Sequence, residues 1–330
     1  EGPSHQLAIN TITASDGVQG EMSDPATLVT AARVVADAAT RQVTFYGDAS
    51  APARLIRHPA ALSAHEIVMN EVTQTVRSNT AGTFIFRDHA DTLRPKDKAP
   101  GESGEQRDEY VELVVRWAQS MYFDHRMGLV HVSGDVQTTS QRGQDNTLMR
   151  ADELQLELMP VPHETVALTS DNDEDPASTH WTVRKASAIG NVTFEAQQWE
   201  DRDAGDLRAR LQVKGPRIDI DAPAERGKVI GQGTMLIDDK RTADETRSVA
   251  GVQFANGGLT LFKWDDALTI DAFHNDILIE GKSQMLHRLV TGDDMQAADK
   301  YVQLDCRKLT VDLSSTGGLS ALTGNANATR

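Results

Sequence analysis

The side chains able to do chemistry are all present in this chain, but their spacing does not bring them together. Ten histidines are scattered along it, with no HExxH and no pair backed by nearby carboxylates. A metal centre or a general base needs such convergence. His125 and His131 flank a turn expected between two strands, so their rings are expected to point into solvent. The run Asp171, Asp173, Glu174 and Asp175 offers oxygens to calcium but lacks the glycine and distal glutamate of an EF-hand loop. It reads better as a solvated acidic loop. Asp37, Asp124, Asp221 and Asp271 recur at equivalent places and suggest acid/base carboxylates. Each follows an apolar strand and opens a turn, however, where aspartate can bond its own backbone. The turn-forming role is the better account. No GxxxxGK[ST] or GxSxG appears, and the GQG at Gly231 to Gly233 is no dinucleotide fingerprint. Asn191-Val-Thr193 and Asn327-Ala-Thr329 are acceptor sequons, meaningful only in a eukaryotic secretory context. The expectation is a protein that is not an enzyme and has no cofactor and no metal.

The elements that carry these residues belong to a chain of 330 residues with 39% apolar and 25% charged residues, an ordinary globular composition. No apolar run reaches the 18 or so residues of a membrane-spanning helix. The densest, Tyr110 to Phe123, is broken by Glu112, Arg116 and Gln119. A formal charge of −16 argues against a sequence-independent grip on phosphate backbones, so nucleic acid is not expected as a partner. The single cysteine, Cys306, excludes an internal disulfide and a multi-cysteine metal site. Because the sequence opens at Glu1 with neither an initiator Met nor a basic-then-apolar leader, the chain is expected to be a mature or excised fragment.

A repeat organises the sequence. Four segments align without gaps: VVADAATRQVTFYG, MYFDHRMGLVHVSG, IDIDAPAERGKVIG and LTIDAFHNDILIEG, ending at Gly47, Gly134, Gly231 and Gly281. Each has its aspartate ten residues before the glycine, and alternating apolar residues on both sides of a polar turn; only Gly227 breaks the pattern. Period-two alternation on both sides of a turn predicts antiparallel hairpins. A longer signature precedes the turn in LSAHEIVMN, MRADELQLE and LDCRKLTVD. In these an apolar residue is followed two later by a small one (Ala64, Ala151, Cys306), then by apolar residues at five and seven later. VTAARVVAD and VKGPRIDID fit the same template. RWAQSMYFD and KWDDALTID keep its second half and place Trp117 and Trp264 at matching points, which makes seven copies. The spacing from Val29 to Leu62 and from Arg116 to Met149 is 33 residues in both cases, an 87-residue shift of the whole pair.

Within the signature the apolar parity slips, so the buried face changes sides near the small residue. Strict alternation along a strand makes such a slip a bulge or a corner. Strands that turn corners build folded-over sheets rather than flat ones. One stretch competes with this reading: Ser23-Asp24-Pro25 before ATLVTAARVVADAAT has a helix cap and an alanine-rich run. Strand is preferred because the stretch aligns with MYFDHRMGLVHVSG, which is richer in aromatic and β-branched residues. Polar stretches at 89–109, 169–179 and 238–248 are expected loops. The expected division puts one β-repeat block at 1–170 and a second, more divergent one at 171–330.

Repeated strands with one apolar face make an extended greasy interior, which is either plain core or a groove for an apolar ligand. Burying an acyl chain is worth roughly 0.8 kcal/mol per CH₂, and exposed end strands suit strand addition by a neighbour. The pattern L-x-A-x-x-L-x-L followed by an acidic residue, and hairpins closing in GDV (Gly134 to Val136) or GDA (Gly47 to Ala49), resembles the OstA/LptA-type periplasmic domain of lipopolysaccharide transport. Met121 to Met159 carries it most clearly. It covers Val29 to Glu157, and Val213 to Leu313 more faintly, in a chain nearly twice the length of one such domain. The resemblance implies an all-β, folded-over antiparallel jelly roll (β-taco) that shields lipid acyl chains and stacks end to end with related domains. By position in the repeat, Val34, Phe45, Met69, Phe123, Val132, Leu156, Ile220, Ile270 and Ile279 are expected to line the interior. The expected partners are lipopolysaccharide or another acyl-chain lipid and neighbouring jelly-roll domains, and the expected location is the periplasm. The alternatives are a structural β-repeat scaffold or surface adhesin without a lipid, and a carbohydrate-active β protein with an unrecognised carboxylate pair.

Overall fold

The computed structural model describes residues 10–23, 26–57, 60–89, 110–161, 180–202, 204–240, 258–271, 273–274, 276–288 and 301–312. Every regular element among them is a β-strand, and no helix occurs. The Ala-rich stretch with the competing helical signal is strand β2 (Ala26–Asp37), paired along its length as β-branched Val29, Val34 and Val35 favour. All strand pairs are antiparallel and belong to one continuous sheet.

Eight long strands run through both walls of this sheet: β1 (Thr11–Ser23), β2, β11 (Leu129–Arg142), β12 (Asp145–Val161), β13 (His180–Asp201), β14 (Asp206–Asp221), β19 (Asp276–Arg288) and β20 (Tyr301–Asp312). Twelve short strands serve one wall each. β3 (Gln42–Tyr46), β6 (Glu66–Asn70), β7 (Thr75–Ser78), β10 (Ser120–Asp124), β15 (Arg226–Ile230) and β18 (Ala267–Asp271) complete what we call the Asp wall. β4 (Ala53–Arg57), β5 (Ala60–Ala64), β8 (Gly82–His89), β9 (Tyr110–Trp117), β16 (Gly233–Asp239) and β17 (Gly258–Trp264) complete the facing wall. The Asp wall therefore reads β1-β2-β3-β6-β7-β10-β11-β12-β13-β14-β15-β18-β19-β20. The facing wall reads β1-β2-β4-β5-β8-β9-β11-β12-β13-β14-β16-β17-β19-β20.

The corner between the walls falls where the sequence parity slips. β2 changes partner between Thr30 and Arg33, β14 between Lys214 and Arg217, and β12 shifts register between Arg150 and Glu153. Ala31, Gly215 and Ala151, the small residues of the signature, sit inside those three intervals. Register shifts also occur at Ser15/Val18, Ser133/Val136, Ile189/Val192 and Glu280/Ser283. Gly17, Gly134, Gly190 and Gly281 stand there with φ between +78° and +84°, a backbone conformation that side chains with a Cβ rarely adopt.

The corner is built the same way twice. Trp117 lies against Gly82, where an added Cβ would come within 2.4 Å of the indole, and Trp264 lies against Gly233 with the same 2.4 Å approach. The Trp117 Nε1–H donates to the Thr80 carbonyl at 2.9 Å, and that of Trp264 to the Gly231 carbonyl, also at 2.9 Å. In each case the acceptor is two residues before the glycine. Both rings are almost fully buried and fill the space that a column of small corner residues leaves.

Two clusters of buried apolar side chains fill the interior, one spanning Val29 to Leu154 and the other Ala151 to Ile279, with Met149 packed on both. Each contains residues of both walls, so each wall covers the other's apolar face. β12 and β13 pair directly from Asp145↔Gln198 to Val161↔His180. The expected block boundary at 170/171 lies between them, outside the described residues, as do most of the three expected loops; β16 continues through Asp238 to Asp239 before the last of these. β1 and β20 end the sheet, each bonded to one strand only among the described residues.

Candidate functional site

The inward-facing residues of the Asp wall line up in two continuous ladders. The one near the corner runs Val34, Phe45 and Ile67, then Ser78, Met121, Val132, Leu154, Ala188, Ile218, Val229, Leu268, Ile279 and Leu309. The one nearer the rim runs Ala36, Val43, Met69, Val76, Phe123, Val130, Leu156, Ala186, Ile220, Gly227, Ile270, Ile277 and Val311. All nine residues expected at the interior fall on these ladders. Val34, Phe45, Val132 and Ile279 stand near the corner; Met69, Phe123, Leu156, Ile220 and Ile270 stand at the rim. The exception in the repeat, Gly227, leaves a gap in the rim ladder: an added Cβ there meets nothing within 4 Å.

The facing wall supplies the other half of the interior, through Val29, Leu55, Leu62, Val115, Leu211, Val213, Met235 and Phe262. None of these was among the nine. The signal for them was in the sequence: Val29, Leu62 and Val213 are the first apolar positions of the repeated signature, on the far side of the parity slip.

The two halves differ at the rim. In the N-terminal half Val43, Met69, Val76, Phe123, Val130 and Leu156 are only partly buried, on six adjacent strand segments. In the C-terminal half Ile277 is 0% exposed and Ile270 6%, while Ile220 and Val311 on the same ladder are partly buried. Polar atoms enter the interior of the facing wall as well. Thr138 Oγ1 and Gln198 Oε1 are buried without a hydrogen-bond partner among the described residues. Fully buried Thr260 shares a 2.7 Å hydrogen bond with His287 Nδ1, and burial pushes the pKa of His287 down.

Beyond the rim ladder comes the row of turn aspartates. Asp37 Oδ1 accepts from the N–H groups of Ala39 (2.8 Å) and Thr40 (3.2 Å), and Asp124 from Arg126 and Met127 at 3.0 Å. Asp221 accepts from Ala224 at 3.1 Å and Asp271 from His274 at 3.0 Å. These are self-bonded turns. Asp271 differs because it is buried between Arg226 and the His274 ring. Burial alone would raise its pKa. The Arg226 guanidinium, the His274 ring and the His274 N–H outweigh it and hold the pKa at about 2.

The remaining candidates stay apart. His131 Nε2 lies 3.3 Å from Glu153 on the outer face of the Asp wall, and His125 sits in the turn with its ring edge against Phe123. Asn191 stands exposed at the β13 corner, 3.4 Å from Asp152 Oδ2. Asp171, Asp173, Glu174, Asp175 and the sequon at 327–329 lie outside the described residues. Two surface clefts open on the outer faces rather than on the interior. The larger, about 500 Å³, is bounded by Asp48, Pro52, Ser63, His65, Thr83 and Arg116 beside the Trp117 corner. No protein-family profile matches the chain, and no curated protein is detectably similar to it.

Proposed function

We propose that this chain is a non-enzymatic lipid-binding and bridging protein of the cell envelope, working in lipopolysaccharide transport or outer-membrane assembly in the periplasm. Its folded-over sheet is then a β-jelly roll of the β-taco type in two consecutive blocks. The observation that carries the reading is the rim ladder of the N-terminal half, Val43 to Leu156. Six neighbouring strand segments, about 24 Å at the usual strand spacing, present apolar side chains that remain partly open to solvent. An acyl chain laid along them would finish their burial, at roughly 0.8 kcal/mol per CH₂ before the walls part to admit it. Bridging uses the ends of the sheet. β20 exposes Tyr301, Val302 and Leu304, and β1 exposes Ile12, beside backbone groups that a further strand can pair.

Native mass spectrometry of the protein after incubation with purified lipopolysaccharide tests the reading. The expected result is a stoichiometric adduct that is lost in Val130→Asp and retained in a variant altered on the outer face. Absence of any adduct would leave the scaffold reading, in which both halves are filled core.

A further inference from the structure

The outer side of the facing wall carries a feature that the lipid reading does not use. The residues alternating with the buried ladder form their own in-register row: Arg54, Ser63, Thr83, Arg116, Gln137, Arg150, Thr193, Lys214, Thr234 and Lys263. Five are cations, all exposed, and none of their side chains makes an ion pair or hydrogen bond among the described residues. No acidic residue interrupts the row between Arg54 and Lys263, in a protein whose formal charge is −16.

The spacing is regular. From Arg116 onward a cation stands on every second strand, about 9–10 Å apart, and the row extends about 40 Å in all. Between the cations lie hydroxyl or amide side chains, so charge and neutral hydrogen-bonding groups alternate. Carboxylates lie toward the corner as well, with Asp135 and Asp266 exposed and three others hydrogen-bonded. Asp48 accepts from the Ser50 and Ala51 N–H groups, Asp152 from Asn191, and Asp265 from the Lys282 N–H. Toward the rim the next outer row is largely apolar, with Ile56, Ile85, Val114, Leu148, Leu236 and Leu261, interrupted by Thr139 and by Glu195 and Gln212, which bond each other. The 500 Å³ cleft is set on this same row, since Ser63, Thr83 and Arg116 help to bound it.

We infer that this row is a binding track for an extended anionic polysaccharide. The single file of cations calls for a linear polyanion, and the interleaved Ser, Thr and Gln side chains suit the hydroxyls of a sugar chain. The cleft beside Arg116 gives one sugar unit a recess. A sheet of this kind twists by on the order of 20° per strand, so the cations at its two ends do not share a plane. A flexible chain can follow that turn; a flat bilayer surface cannot. Single-stranded nucleic acid would use aromatic stacking platforms, and the rows named hold none.

Fluorescence anisotropy with labelled polygalacturonate at about 0.02 M salt, where exposed charges are weakly screened, tests the assignment. Saturable binding is expected, lost at about 0.5 M salt and weakened about tenfold or more in the R116Q/R150Q/K214Q variant. A variant of the other wall, R33Q/R77Q, should bind as the parent does. Equal binding by the triple variant, equal binding of neutral dextran, or no saturable binding would overturn the assignment. So would tighter binding of a single-stranded oligonucleotide or of anionic vesicles. None of these outcomes depends on whether the interior holds lipid.

Discussion

The N-terminal and C-terminal halves of the sheet share their corners and turns yet differ at particular rim positions. Trp117 on Gly82 and Trp264 on Gly233 fix the fold between the walls with the same close approach and the same 2.9 Å hydrogen bond. The turn aspartates Asp124 and Asp271 both cap their hairpins. At the rim, Leu156 and Val130 remain partly open, whereas Ile277 on the same ladder is sealed. The corners are thus alike in the two halves, and burial at the rim varies separately with the side chains farther out.

The largest effect is expected at the corners. Trp117→Ala and Trp264→Ala should each cost about 3–5 kcal/mol in urea unfolding, since each removes a buried indole from a slot shaped by glycine. Similar losses would uphold the equivalence of the two corners; a loss confined to one would break it. The rim should separate the halves. Ile277→Ala should cost about 2–5 kcal/mol and Leu156→Ala no more than about 1–2 kcal/mol, because part of the Leu156 side chain already meets water. Equal losses in the same urea series would dissolve the distinction between the Leu156 and Ile277 positions.

The smallest of the three effects is set by pH. The Asp271 pKa is held at about 2 against an ordinary 3.8, so the carboxylate stabilises the fold fully above about pH 4. That contribution falls away as the pH drops from about 4 to about 2. Arg226 is half exposed, so screening limits the contribution to about 1–2 kcal/mol. Asp271→Asn should therefore flatten the acid limb of a stability-against-pH curve.

The sequence made the hairpins and their corners readable because both are local. Alternation on either side of Asp37, Asp124, Asp221 and Asp271 determines a turn, and a parity slip beside Ala31, Ala151 or Gly215 determines a bend. The nine residues expected at the interior were chosen by that pattern. Their partners did not, because pairings such as β3 with β6 or β7 with β10 join strands that are not consecutive, and no period specifies them. The cation row was hidden for the same reason. Arg54, Arg116, Arg150, Lys214 and Lys263 lie tens of residues apart and become neighbours only once the register is known. The difference between the rims was also unreadable, since Leu156 and Ile277 are alike as residue types and differ only in what covers them.

The ordering of the strands has one more consequence. Each segment bonds only to the segments on either side and packs against the opposite wall, so cohesion is transmitted step by step, as along a zipper. The terminal strands β1 and β20, with one neighbour apiece among the described residues, are expected to detach first, with amide protection rising toward the middle, where β12 and β13 run alongside each other through both walls. Hydrogen exchange is therefore expected to be slowest at the β12–β13 pairing and fastest at the two ends of the sheet.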